Sequence, residues 1–406
     1  MAASTGAPPL AEGGQSDYAS ALLASFLGWT LDAFDFFLVI VTLPAIAHEF
    51  GQSIPRVAAT ITVTLAFRPV GAFLFGLMAD RYGRRIPMMA DLVFYSVIEV
   101  LSGLAPNFTT FLVLRALFGI GMGAEWGVGA SLAMEKVPPR WRGVLSGFLQ
   151  EGYAVGYLLA AVCSFLVFPR FGWRPLFFLG GLPALLALFV RVRVKESAVW
   201  EKTRHRTWAD LIGGILSEWR TFLYLVLLMT MMNLASHGTQ DMYPTFLQKE
   251  RHFTSQEKDL IIVVYNVGAI LGGIVFGLLS DRIGRRRSMV MALLLGVLMV
   301  PLWAYGSTTP LLVLGAFLLQ FMVQGAWGVV PAHITELSPD PVRGFLPGFA
   351  YQCGVLLAGS APWIQALFSE RFDYANAMAL TAVSVFVMGA FVVSVGKEKR
   401  GAVFGL

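Results

Sequence analysis

The sequence predicts an all-α integral membrane protein with twelve transmembrane helices in two pseudo-symmetric six-helix bundles. Three observations carry that expectation. Of 406 residues, 56% are apolar and only 14% charged, with a mean hydropathy of +0.68; soluble domains carry roughly 25% charged residues. Apolar segments long enough to cross a hydrocarbon core of about 30 Å recur along the whole chain. The second half also repeats motifs of the first at one ungapped offset of 201 residues.

The predicted spans are 19–47, 55–79, 87–105, 109–134, 143–168 and 173–193, then 219–247, 257–280, 288–306, 310–336, 344–368 and 374–396. Each is too long for a barrel strand, and a helix satisfies its own backbone hydrogen bonds in lipid. A hydrophilic linker, 195–218, holds Lys195, Lys202, Arg204, Arg206 and an amphipathic stretch from Trp208 to Ile215. It divides a bundle at 19–194 from one at 219–396, with tails at 1–18 and 397–406. Residues 1–18 are rich in Ala, Gly, Ser and Pro without a basic start, which reads as a short tail and not a signal peptide.

Lys and Arg accumulate in alternate connections. Arg81, Arg84 and Arg85 follow the second span, Lys136, Arg140 and Arg142 the fourth, Arg282 and Arg285 to Arg287 the eighth, and Lys397, Lys399 and Arg400 the last. The positive-inside rule places both termini and the linker in the cytoplasm. Basic clusters between apolar segments, at a net charge of +5, point to membrane topology and away from nucleic acid. Cys163 and Cys353 lie inside apolar runs, which disfavours a disulfide framework or a metal site. No cofactor is expected.

The repeat is detailed. Gly76-Leu-Met-Ala-Asp80-Arg81-Tyr-Gly83-Arg84-Arg85 returns as Gly277-Leu-Leu-Ser-Asp281-Arg282-Ile-Gly284-Arg285-Arg286. Trp126-Gly127-Val128, Glu135, Pro138, Arg142-Gly143 and Gly147 recur at Trp327-Gly328-Val329, Glu336, Pro339, Arg343-Gly344 and Gly348. Repeats of parallel topology place substrate and coupling-ion sites near the bilayer midplane between the halves. With twelve spans and a basic central linker, these motifs resemble the major facilitator superfamily over essentially the whole chain. The resemblance implies that Asp80, Arg81, Arg84, Arg85, Asp281, Arg282, Arg285 and Arg286 form a cytoplasmic gate that pairs with neighbouring helix ends in one state of an alternating-access cycle. On the residues alone, these arginines could equally do no more than set topology.

Ionisable groups inside spans are costly, and they point to function. Asp32 and Asp35 share nearly one face of the first span, where mutual repulsion and desolvation let such a pair hold a proton near neutral pH. A helix-packing pair is the blander alternative. Arg68 in the second span can bind a carboxylate through two parallel hydrogen bonds, with Asp32 or Asp35 as counter-ion when the site is empty. Arg115, nearer its helix start, serves either as a similar site or as a snorkelling residue. Glu125 follows the small-residue run Gly119, Gly121, Gly123 and is a candidate buried proton carrier, whereas Glu151 suits a salt bridge at the cytoplasmic end. Glu99 receives no role.

The seventh span carries Asn233, Ser236, His237, Thr239, Gln240, Asp241 and Thr245. At 3.6 residues per turn, Asn233, His237, Asp241 and Thr245 form one stripe that must face an interior. His237 and Asp241 are spaced to hydrogen-bond along the helix, and Pro244 should distort or end it. Ser236 and His237 point about 100° apart, so a hydrolase triad fails. From the other spans Gln320, Gln324, His333, Tyr351 and Gln352 offer neutral donors and acceptors, Gln352 being the preferred substrate contact.

The pattern N-x-x-S-H-x-T-Q-D-x-x-x-T resembles the signature of lactate/pyruvate:proton symporters, a branch related to the sialate:proton symporters. It implies uptake of short monocarboxylates (lactate, pyruvate, acetate or propionate) with a proton; a monomer in the plasma membrane is expected. By the same comparison Arg68, His237 and Asp241 are the residues that matter for binding and coupling; the reading of the residues adds Asn233, Ser236, Thr239, Gln240 and Gln352 to substrate binding, with His237, and Asp32, Asp35 and Glu125 to proton coupling. The eighth span has Asn266 but no buried arginine, a departure from mammalian-type monocarboxylate transporters. Rival readings are a proton symporter for sialate, a dicarboxylate or an aromatic acid, and a membrane nutrient sensor that does not transport. An enzyme is disfavoured because no nucleophile–base geometry or metal cluster is legible.

Overall fold

The computed structural model describes residues 15–204, 207–359 and 373–405. The first half comprises α1 (Gln15–Glu49), α2 (Ile54–Tyr82), α3 (Arg85–Gly103), α4 (Phe108–Lys136), α5 (Arg142–Gln150), α6 (Gly152–Phe171), α7 (Arg174–Leu179) and α8 (Pro183–Arg193). Two linker helices follow, α9 (Ala198–Thr203) and α10 (Trp208–Ser217). The second half comprises α11 (Trp219–Gln240), α12 (Tyr243–Lys249), α13 (Ser255–Ile283), α14 (Arg285–Tyr305), α15 (Thr309–Leu337), α16 (Leu346–Ala358) and α17 (Tyr374–Val395). Among the described residues, eleven helical stretches are long and apolar enough to span a membrane, and α16 is a shorter apolar helix. The predicted span 344–368 runs partly outside the described residues. The all-helical two-bundle architecture is as expected.

Within the first half α4 packs on α1, α2 and α3, and within the second α15 packs on α13 and α14 while α11 packs on α16 and α17. The halves meet where α5 lies on α13 and α15, and where α16 lies on α2 and α4. That seam is tight because both sides offer glycine. A Cβ on Gly127 of α4 would lie 2.4 Å from the Gly348 Cα of α16, so only hydrogen fits there.

Three predicted spans are interrupted. The fifth breaks at Glu151 between α5 and α6, where Gly152 brings α6 against the Phe26 carbonyl of α1. The sixth breaks at Gly180-Gly181-Leu182, because Pro183 has no N–H to continue the preceding ladder and fits the first turn of α8. The seventh breaks after Gln240, and Pro244 sits in the first turn of α12, where its missing N–H costs nothing. Thr245 therefore belongs to the next helix and leaves the predicted stripe.

At one end of the molecule, hereafter the basic end, the two repeated motifs fold alike. Gly83 and Gly284 terminate α2 and α13 at φ of +97° and +104°, a conformation that disfavours a side chain. Asp80 accepts the backbone N–H groups of Gly344 and Phe345 in the other half at 2.8 and 2.9 Å. Asp281 reciprocates with Gly143 and Val144 at 2.8 and 3.0 Å. Each carboxylate thus satisfies N–H groups at the start of a helix across the seam. Arg84 joins Asp80 to Glu135, and Arg285 joins Asp281 to Glu336. Burial opposes the Arg84 charge, but Glu135 and Asp80 outweigh it and raise its pKa above the usual arginine value.

The other motif arginines sit differently from the expectation that all eight residues gate. Arg85 donates to the Arg191 carbonyl and Arg286 to the Val393 carbonyl, each within its own half. Arg81 lies over the Tyr82 ring, and Arg282 is exposed. The C-terminal residues, expected as a plain tail, are docked on the seam. Phe404 stands between the guanidiniums of Arg142 and Arg343, 4.0 and 3.8 Å from its ring centre. Gly401 N–H reaches Glu336, and Lys202 of the linker reaches the Gly405 carbonyl at 2.6 Å.

Gly127→Ala should force the halves apart at this contact. Overpacking of this kind costs about 1–3 kcal/mol, so the melting temperature of the detergent-solubilised protein should fall, and Gly348→Ala should lower it similarly. An unchanged melting temperature in both would show that the seam is not closely packed.

Candidate substrate and proton site

Glycines on α4 set the position of Arg68. A Cβ on Gly123 would lie 1.9 Å from the Arg68 carbonyl oxygen, so α2 rests directly on the α4 backbone. Pro69 follows and leaves the carbonyl one turn earlier without its helical donor. Arg68 is only 3% exposed, yet its Nε and Nη2 have no hydrogen-bond partner among the described residues. Its guanidinium lies over the Tyr351 ring of α16 at 5.6 Å. A buried cation with open donors, placed where the halves meet, is suited to a carboxylate ligand.

The expected Asp counter-ion does not bond to it. Asp32 lies within Arg68's electrostatic reach but forms no ion pair with it, and Asp35 lies nearer Glu99. Asp91 and Glu125 lie within electrostatic range of each other. Among the described residues no protein N–H reaches a carboxyl oxygen of Asp32, Asp35, Asp91 or Glu125. The Tyr95 hydroxyl, also buried and unpartnered, lies within electrostatic range of all four. Asp91 and Tyr95 were not singled out from the sequence. Asp91 is a charge inside an apolar span, a signal that was present but sat close to the arginine cluster at the span's start.

Arg115 neither snorkels nor stands open. It is buried and paired with Glu99 and Ser102, ringed by Phe111, Phe118 and Phe177. Glu151, expected in a salt bridge, has none among the described residues. It is 6% exposed, and its Oε1 lies against Gly273 of α13, where a Cβ would approach to 2.2 Å.

At the end of α11, His237 Nδ1 and Asp241 Oδ2 are 3.0 Å apart, with side chains 36% and 32% exposed, so this pair is partly open. Arg68 is within electrostatic range of His237, and Tyr153 within range of Arg68, Asp32, Asp241 and Tyr351. These groups from both halves therefore surround one central region. Its walls are aromatic: Trp29 stacks on Tyr153 at 5.3 Å, and Trp126 and Trp327 approach Tyr351 at 4.5 and 5.9 Å.

The remaining α11 polar groups part from that centre. Thr239 and Gln240 hydrogen-bond to Gln320 of α15 at 3.1 and 2.9 Å, which turns them into the second bundle. Asn233 donates to the Met229 carbonyl of its own helix, as Asn266 does to Ile262. Ser236 stays half-buried beside His237. Gln352 crosses the seam to the Gly123 carbonyl at 3.3 Å, leaving its Oε1 without a donor among the described residues. His333 is wholly buried with neither ring nitrogen partnered there.

The Major Facilitator Superfamily model matches residues 25–240 and 241–403. The chain belongs to that superfamily. Its family and fold are those of transporters, not enzymes. It is 29% identical to the "Sialic acid transporter NanX" of Escherichia coli, covering 95% of each chain. It is 30% identical to the "Probable 4-methylmuconolactone transporter" of Cupriavidus pinatubonensis (93% of this chain, 90% of that one). Against the "Carboxylic acid transporter protein homolog" of Saccharomyces cerevisiae it is 29% identical over 92% of this chain and 67% of the other. Among solved structures, the proton:xylose symporter XylE superposes with a TM-score of 0.77 at 17% identity, covering 96% and 98% of the two chains. That likeness concerns the fold. The three sequence relatives are transporters of organic acids.

Arg115→Met would strand Glu99 in a buried site and should cost about 3–5 kcal/mol. The double variant Arg115→Met/Glu99→Gln should recover most of that loss, as read from melting temperatures in a double-mutant cycle. Additive losses would show that the two side chains act independently.

Proposed function

We propose that the protein is a proton-coupled symporter of small carboxylates that works by alternating access between its two halves in the plasma membrane. The reading rests foremost on Arg68, a buried guanidinium with open donors at the junction of α2 and α16. In this account the substrate carboxylate docks on Arg68, with Gln352 and the half-buried His237 supplying further contacts. The proton is held by the Asp32, Asp35, Asp91 and Glu125 group and by the His237–Asp241 pair. Added protons reduce negative charge around the site and favour anion entry. One proton per monocarboxylate anion makes the carrying step electroneutral.

The basic end is the cytoplasmic gate in this proposal, with both termini inside, following its excess of Lys and Arg. Asp80, Arg84, Asp281 and Arg285 close it, so the arrangement described corresponds to a state shut towards the cytoplasm. Arg81, Arg85, Arg282 and Arg286 would then support gate helices and topology. Thr239, Gln240 and Asn233 would shape α11, with no direct substrate contact in this state.

The substrates in this reading are short monocarboxylates such as lactate and pyruvate. A second reading, a larger organic anion, draws support from the aromatic wall of Trp29, Trp126, Tyr153 and Tyr351 and from relatives named for sialic acid and methylmuconolactone. Competition between labelled lactate and sialate or muconate in proteoliposomes separates the two.

In proteoliposomes with an inward proton gradient, labelled L-lactate should accumulate, and Arg68→Ala and His237→Ala should each reduce uptake at least about tenfold, the scale of a lost charge-assisted contact. Absence of uptake by folded protein with every carboxylate tried would overturn the carrier reading. Asp241→Asn should flatten the rise of uptake with external acidity; an unchanged pH profile would remove Asp241 from coupling.

A further inference from the structure

Outside the central site, one groove differs from ordinary lipid-facing surface. It runs between the first half of α14 and the end of α17, with a cavity volume of about 1430 Å³. Its rim at the basic end carries Arg282, Arg286, Arg287 and Arg400. The one carboxylate there, Glu398, is taken up by the backbone N–H groups of Arg286 and Arg400 at 2.9 and 3.0 Å. None of the four guanidiniums forms an ion pair among the described residues. Below the rim the lining turns apolar, with Leu294, Leu298 and Val387 about half exposed or more.

The dimensions are those of one membrane leaflet. From Arg287 to Leu298 the helix rises about 16 Å at 1.5 Å per residue, close to half of a hydrocarbon core of about 30 Å. A cluster of cations above an apolar trough of that depth is complementary to an anionic headgroup with attached acyl chains, and basic clefts between spanning helices attract such lipids. Charge for topology alone does not account for the cluster, because the repeat is unequal here. The first-half counterpart of Arg287 is Ile86, whereas Arg286, like its counterpart Arg85, also donates to a backbone carbonyl of its own half.

We propose that this groove is a binding site for an anionic phospholipid, whose headgroup phosphate sits among Arg282, Arg286, Arg287 and Arg400. Because Arg400 also donates to the Arg282 carbonyl and leads directly into the docked Phe404 segment, a lipid there holds the C-terminal strap against the seam.

The test uses the full chain in dodecyl maltoside, melted during titration with dioleoylphosphatidylglycerol, dioleoylphosphatidylcholine or inorganic phosphate. The phosphatidylglycerol should raise the melting temperature saturably, and the other two should not. Arg287→Gln/Arg400→Gln, at two exposed positions, should raise the half-saturating concentration about tenfold or more, while Arg287→Lys and the first-half control Arg191→Gln/Arg193→Gln keep it. Equal stabilisation by phosphatidylcholine or free phosphate overturns the proposal. So does a Gln double variant that responds as the unaltered protein does, or a control that loses as much.

Discussion

Asp80 and Asp281 each accept two backbone N–H groups at the start of a helix in the opposite half, and the closed seam depends on that exchange. A helix start leaves N–H groups without intrahelical partners, and in a dry interface each would be costly. The carboxylates satisfy them and favour the helix dipole at the same time. Arg84 and Arg285 then compensate the buried carboxylates, and Glu135 and Glu336 compensate the arginines. These ion pairs lie within each half, but the four carboxylate bonds to backbone N–H groups exist only while the halves are together at this end. Separating them there must therefore replace the same bonds with water.

Nearer the middle the balance is reversed. The first half buries Asp32, Asp35, Asp91, Glu99 and Glu125 against Arg68 and Arg115, and among the described residues only Glu99 has a guanidinium bonded to it. The basic end is a set of matched charges, whereas the centre holds an open cation beside carboxyls without donors. Under the transport proposal, that contrast assigns rigidity to the gate and the capacity to take up an anion and protons to the centre. Glu151, at the α5–α6 break and against Gly273, places one more unpartnered carboxyl at the seam between them.

The C-terminal segment adds a connection between distant parts. Phe404 contacts Arg142 of the first half and Arg343 of the second, which are counterparts in the internal repeat. An aromatic ring can lie near two cations only while they remain close, so opening at the basic end breaks at least one contact. The linker joins the same assembly through Lys202, and Glu196 and Glu398 cap the starts of α3 and α14 in parallel fashion.

The sequence by itself determined the membrane class, the helical spans and the doubled architecture, because lipid admits few alternatives for a long apolar run. It also marked Arg68 and the His237–Asp241 pair, since an intramembrane charge or an i, i+4 pair is legible locally. The tertiary structure decided which polar groups share a space. Thr239 and Gln240 fit the α11 pattern as well as His237 does, yet Gln320, eighty residues away, draws them into the second bundle. Arg115 and Glu99 became a pair, and Asp91 came within electrostatic range of Glu125, through packing of α3 on α4. The docking of Phe404 was invisible in a short tail. Chain-distant contacts have no periodicity to read, and only the packed helices bring their side chains within bonding distance.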